Sequence, residues 1–108
     1  MDPVTFADFK KVELRVAKVV SVENHPNADK LYVVKIDVGG VEKQIVAGLR
    51  PFMGPERLVG KQVIVVNNMT PTPIRGVESN GMLLAVQSGT EVNLVVPDKE
   101  SIVGSEVR

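Results

Sequence analysis

The sequence predicts a small all-β domain, and three observations predict it. Apolar and polar residues alternate with period two through several short segments. Valine dominates the aliphatic content, and its branched side chain suits the pleated strand. Glycine- and proline-rich turns separate these segments at short intervals, as in a barrel or sandwich. The 108 residues suit one domain, residues 1–108, long enough to bury a core without disulfide or metal staples. A hydrophobic content of 44% argues against disorder.

The elements follow in order. Phe6 and Phe9 bracket a stretch in which one helical turn would bury both rings. Val12, Leu14 and Val16 then alternate with Glu13, Arg15 and Ala17. The alternation slips at Lys18, because Val19, Val20 and Val22 follow, and such a slip predicts a bulge or sharp bend. A second strand runs from Leu31 to Val38, with Tyr32, Val34, Ile36 and Val38 on the inner face. Gly39-Gly40 is a hairpin turn, and a third strand runs from Lys43 to Leu49. Between Pro51 and Gly60 there is room for one or two helical turns, with Pro55 at the first position and Gly60 at the end. The fourth strand, Gln62 to Asn67, is apolar on both faces, so it must be buried on both sides or lie at a subunit interface. A fifth runs from Met82 to Val86, and a sixth, Val92 to Val96, ends at Pro97. Three strands, a short helix and two strands is the order of an OB-fold, a five-stranded Greek-key barrel that commonly binds oligonucleotides. The sixth strand exceeds that barrel.

Composition excludes several chemistries. There is no cysteine, so disulfides and thiolate metal sites are absent, as suits a reducing cytoplasm. Met1 to Thr5 shows no basic start followed by an apolar run, and no apolar run is long enough for a bilayer, so no membrane partner is expected. Basic and acidic residues both number 13, a neutral balance in which a nucleic-acid site must come from local clustering. Lys10, Lys11, Lys18, Lys30, Arg50 and Arg75 are available for such a cluster, whereas the tail after Gly89 is mainly acidic. No nucleophile–base pair, metal-ligand cluster or phosphate-cradling glycine loop is visible, so neither an enzyme nor a cofactor is expected.

Two polar segments stand out, Asn68 to Leu84 and His25 to Tyr32. Each is rich in turn-forming, hydrogen-bonding residues and leads into an apolar strand, so together they could form one binding face. His25, the only histidine, lacks partners for catalysis or metal binding and reads as a loop residue capping the start of a strand. Asn27 and Asp29 suit an Asx-type turn after Pro26. Lys30 is either a mobile phosphate contact or a solvated charge. Tyr32 points inward by its alternation. Asn68 either fixes its loop or addresses a ribose or base. Arg75 is the strongest phosphate candidate, and its structural alternative is an ion pair with Glu78. Ser79, with no activating base, suits a hydrogen bond to RNA or to the loop backbone. Met82 is either core or a contact for a base or ribose. Aromatic residues make up only 4%, which disfavours a base-stacking platform and favours recognition of folded RNA.

Asp8-Phe9 with Val12 to Val16, His25 to Tyr32, Val46-Ala47-Gly48-Leu49, and Asn68 to Leu84 together resemble the free-standing tRNA-binding domain family. Its relatives include the C-terminal dimerisation domain of methionyl-tRNA synthetase and the CsaA export chaperone. The resemblance implies a non-catalytic OB-fold, a barrel over about residues 6–86, that binds tRNA by shape with little base readout. It implies a homodimer built with an extension over about 87–108, acting as an accessory or separated C-terminal domain of methionyl-tRNA synthetase in the cytoplasm. The tRNA-binding positions it implies are Asn27, Lys30, Arg50, Asn68, Arg75, Ser79 and Met82. The chain departs from the family at Ala17, where glycine is usual, and at Thr72 and Pro73, where the loop is commonly basic. The neutral charge and these missing cations favour a second reading, a CsaA-like homodimeric chaperone for unfolded polypeptides. The His25 to Tyr32 stretch favours the first.

Overall fold

In the computed structural model, which describes residues 1–108, the valine-rich alternation folds into one curled antiparallel sheet. After a four-residue helix α1 (Phe6–Phe9) comes the long strand β1 (Leu14–Asn24). Its first half pairs with β4 (Gln62–Val66), from Leu14↔Val66 to Lys18↔Gln62. Its second half pairs with β2 (Tyr32–Asp37), from Lys18↔Asp37 to Asn24↔Tyr32. The phase slip at Lys18 is the point where β1 changes partners, and the register shifts between Val19 and Ser21. The bulge lets one strand serve both halves of a coiled sheet.

β2 turns into β3 (Glu42–Ala47) through Gly39-Gly40, both at positive φ (73° and 91°), which glycine adopts without a Cβ penalty. The chain then passes through a 3₁₀ turn (Pro55–Arg57) that starts at Pro55 as expected. Leu58, fully enclosed, joins the core cluster that includes Ile36, Ile45, Val34 and Val63. Tyr32 does point inward, and its hydroxyl donates to the Met53 carbonyl at 2.8 Å, tethering this connection to the sheet. Val63, Ile64, Val65 and Val66 are all buried within a single chain, so the doubly apolar β4 needs no second subunit to cover it.

Three expectations are corrected. The five-stranded barrel does not close: the strand order β3-β2-β1-β4-β7 is an open, curled path. Its last strand, β7 (Met82–Leu83), is two residues long and pairs only with β4. The predicted strand from Met82 to Val86 divides at Leu84, because Ala85–Ser88 (β8) leaves to pair with Glu91–Leu94 (β9). Across the seam, β3 is held without a ladder: Val46 N–H donates to Ser79 Oγ, Asn80 N–H to the Gln44 carbonyl, and the Gln44 amide to the Glu78 carbonyl. The third correction concerns Phe6 and Phe9. Their turn forms, capped by the Thr5 hydroxyl, but both rings remain exposed, with Lys10 lying 5.3 Å from the Phe6 ring centre. One helical turn with no buried residue has no core face to offer them.

The segment after Gln87 folds back on its own chain. Val92 and Leu94 pack against the core, and β10 (Glu106–Val107) pairs with Leu14 and Arg15 along the edge of β1. Gly104 crosses the β2–β3 turn so closely that a Cβ there would lie 2.9 Å from the Gly39 Cα. No helix is long and apolar enough to cross a membrane.

Candidate nucleic-acid interface

The two polar segments do converge. Within Asn68 to Leu84 lies a small hairpin, β5 (Thr72–Ile74) and β6 (Val77–Ser79), whose two-residue turn is Arg75-Gly76. Both turn residues have positive φ, 52° and 89°, and Arg75 is the only non-glycine residue in that region. His25, only 4% exposed, joins the hairpin to the other segment. Its Nδ1 accepts from the Asn27 amide at 2.9 Å, so its Nε2 carries the hydrogen and donates to the Ile74 carbonyl, also at 2.9 Å. The imidazole therefore closes the turn that Asn27 and Asp29 were expected to close. Asn27 and Arg75 complete the junction reciprocally: Asn27 Nδ2 donates to the Arg75 carbonyl and the Arg75 guanidinium to the Asn27 carbonyl, both at 3.2 Å.

This junction leaves Asn27, Lys30 and Arg75 around one shallow cleft of about 450 Å³, which Asp29 also lines. The only ion pairs in the chain are Lys11–Asp8 and Arg15–Glu13, so neither Lys30 nor Arg75 forms one, and Arg75 does not bond Glu78. The β2–β3 register, Tyr32↔Ala47, continued outward puts Arg50 at the same end of the sheet as Lys30. Lys10 and Lys11 belong instead to the N-terminal turn, and Lys18 lies midway along β1 opposite Asp37.

The open seam beside β3 forms a second feature, an apolar groove of about 460 Å³. Leu49, Phe52, Met69, Ile74, Met82 and Val92 supply much of its wall, and no charged side chain lines it. Met82 is about half exposed there. Ser79 also lines the groove, but it is buried, and its hydroxyl both accepts from Val46 N–H and donates to the Gly81 carbonyl. Its observed work is to hold the seam. Asn68, at the other side of Met69, is likewise engaged. Its carbonyl accepts from Glu13 N–H at 2.9 Å and its amide donates to the Lys11 carbonyl at 2.7 Å, clamping the N-terminal segment to the end of β4. The loop-fixing alternative for Asn68 is thus what the geometry displays. Beside it, Glu13 is held below the usual carboxylate range, first by the hydrogen bond from Arg15 and then by that from Asn67.

Sequence reasoning missed the role of His25 as the link between segments. The available signal was a lone histidine directly before Pro26 and two residues before Asn27, whose amide it could accept from. The groove was missed as well, because it exists only where the barrel fails to close.

A curled OB-type sheet with an uncharged groove and an adjoining cationic turn defines a small binding domain. The family model described as "Putative tRNA binding domain" matches residues 14–106. The chain is 51% identical over 108 residues to methionine–tRNA ligase of Pyrococcus furiosus, covering 100% of this chain and 15% of that protein. For the ligase of Thermotoga maritima the identity is 46% over 104 residues, or 96% of this chain and 16% of that protein. The chain thus spans only 15–16% of the length of these relatives. Among solved structures, a MetRS related protein from Pyrococcus horikoshii superposes with a TM-score of 0.93 at 33% identity, covering 100% of both chains. A CsaA chaperone protein from Picrophilus torridus superposes with a TM-score of 0.90 at 28% identity, over 98% of this chain and 100% of that one. This chain belongs to the tRNA-binding domain family.

Proposed function

We propose that this chain is a non-catalytic module that binds tRNA by the shape of its folded backbone. It acts as a homodimer, and serves methionyl-tRNA synthetase either in trans or as part of it. The observation that carries this reading is the junction made by His25, Asn27 and Arg75, which fixes Arg75 at one edge beside Lys30, neither cation forming an ion pair. Cations gathered at one edge contact phosphates, whose spacing is a property of RNA shape rather than of sequence. Tyr32 is buried and cannot serve as a stacking platform. The dimer reading draws support from the exposed Val4, Phe6, Phe9 and Ile102.

With Thr72 and Pro73 where the family has cations, each subunit should contact about two to four phosphates, each contributing about −0.9 to the log–log salt slope. Titration with bulk tRNA at several salt concentrations tests this. Arg75→Ala should lower the slope by about one contact and weaken all tRNAs alike. Unstructured RNA of equal length should compete poorly, and a strong preference for one anticodon would contradict the shape reading. Sedimentation at micromolar concentration tests the dimer.

The apolar groove favours a second reading, a CsaA-like chaperone that holds unfolded polypeptide. It replaces the first if neither Arg75→Ala nor Lys30→Ala alters tRNA affinity while unfolded peptide is still bound.

A further inference from the structure

We propose that Met69 and Met82 form a peroxide-sensitive modification site, whose oxidation turns the groove along the open seam from apolar to polar. The four methionines of the chain stand in different environments. Met53 is 5% exposed and belongs to the core cluster, whereas Met1 is fully exposed. Met69 and Met82 are 43% and 44% exposed, and both line the groove. A thioether must meet its oxidant to react, so exposure separates the two groove sulfurs from Met53. The chain has no cysteine thiol to consume the oxidant first.

The chemistry requires hydrogen peroxide and nothing else. A sulfur lone pair attacks one peroxide oxygen, an S–O bond forms as the O–O bond breaks, and water leaves. The sulfur loses two electrons and the peroxide gains them. A thiol-dependent sulfoxide reductase reverses the step, removing the oxygen as water while two thiols become a disulfide.

The product changes the character of the surface that carries it. Leu49, Phe52, Ile74 and Val92 line the same groove, and no charged side chain does. Oxidation converts a flexible apolar side chain into a polar one, so two sulfoxides would set strong acceptors into an otherwise apolar wall. The sheet is arranged to survive this. In β7 the half-exposed Met82 alternates with Leu83, and it is Leu83 that enters the core. The pairing of Met82 with Val66 is made by backbone, not by the sulfur. Met69 lies outside any strand, in the connection after β4. Lys30 and Arg75 line a separate cleft and keep their charges.

The test treats the full chain with hydrogen peroxide, locates the added oxygen by peptide mass spectrometry, and titrates the product with Nile red, a neutral apolar dye. Met69 and Met82 should each gain one oxygen while Met53 remains a thioether, with Met1 as the reference for a freely reacting sulfur. Dye affinity should fall about tenfold, the order expected when unpaired polar groups enter an apolar contact. The melting midpoint should move by less than about 4 °C, because no core side chain has changed. Methionine sulfoxide reductases with a thiol should restore dye binding. The double variant Met69→Leu, Met82→Leu keeps an apolar wall without sulfur, so it should bind dye equally well before and after peroxide. Each single variant should show an intermediate loss. Unchanged dye affinity with both sulfoxides in place would overturn the proposal, as would a groove that takes no dye before treatment. Oxidation of Met53 as fast as Met69 and Met82, or a peroxide-induced loss as large in the double variant as in the parent, would overturn it equally.

Discussion

Replacing His25 by alanine should uncouple the two polar segments while leaving the sheet folded. The imidazole is 4% exposed and makes one hydrogen bond at each nitrogen. Each such bond contributes about 0.5–1.5 kcal/mol net. The Ile74 carbonyl, half-buried, loses its only side-chain donor, whereas the exposed Asn27 amide can turn to water. Adding a modest cavity, the loss comes to about 2–3 kcal/mol, against about 5–15 kcal/mol for a typical domain. A 1 kcal/mol loss lowers the melting temperature of a domain of this size by about 4–8 °C, so a drop of roughly 10–20 °C is expected. RNA affinity should fall as well, because binding must then order the Pro26 to Lys30 turn, at about 1–2 kcal/mol per residue fixed. If only one residue's freedom is at stake, the loss is about tenfold in Kd. Calorimetric melting and tRNA titration of the same preparation separate the two effects. His25→Gln, which retains a donor for the Ile74 carbonyl, should recover part of each. A variant that melts lower yet binds tRNA within twofold of the parent would refute the claim that this junction preorganises the binding edge.

Other perturbations read other parts of the molecule. Tyr32→Phe removes the 2.8 Å bond to the Met53 carbonyl and should cost about 1 kcal/mol, seen as a lower denaturant midpoint at unchanged slope. Gly104→Val places a Cβ 2.9 Å from the Gly39 Cα at a φ of 94°, so it should destabilise by more than about 2 kcal/mol and speed amide exchange in Leu14 to Val16, the edge that the tail covers. Glu13 is held below its ordinary range, chiefly by the Arg15 hydrogen bond, so its contribution is fully present above the unfolded-state value and is lost as pH falls through the folded one. Glu13→Gln should therefore melt below the parent near neutral pH by a margin that vanishes in acid, and a margin constant with pH would contradict this assignment.

What could be read in the sequence was whatever local chemistry decides. The strand faces, the Gly39-Gly40 turn, the Pro55 start and the bulge after Lys18 all follow from periodicity or from a residue whose backbone freedom is unusual. The hairpin of Thr72–Ile74 and Val77–Ser79 did not, because Pro71 and Pro73 argue against strand locally. It persists because the Ile74 carbonyl is held by His25, 49 positions away, and because Ser79 is anchored to β3. Closure of the barrel failed for a related reason. A ladder between β3 and β7 would need Met82 to Val86 as one strand, yet the segment after Leu84 pairs better with Glu91–Leu94 and leaves the seam to side-chain bonds. Phe6 and Phe9 obeyed the apolar pattern without finding a core, since burial needs a partner surface that periodicity cannot supply. The candidate binding edge lies between these cases. Lys30 and Arg75 could be named from residue type, but their nearness depends on one buried imidazole whose two bonds reach into both segments. The groove depends on the failed closure itself: Met82 and Phe52 are half exposed along a seam that no strand closes, so the departure from the ideal fold creates the groove.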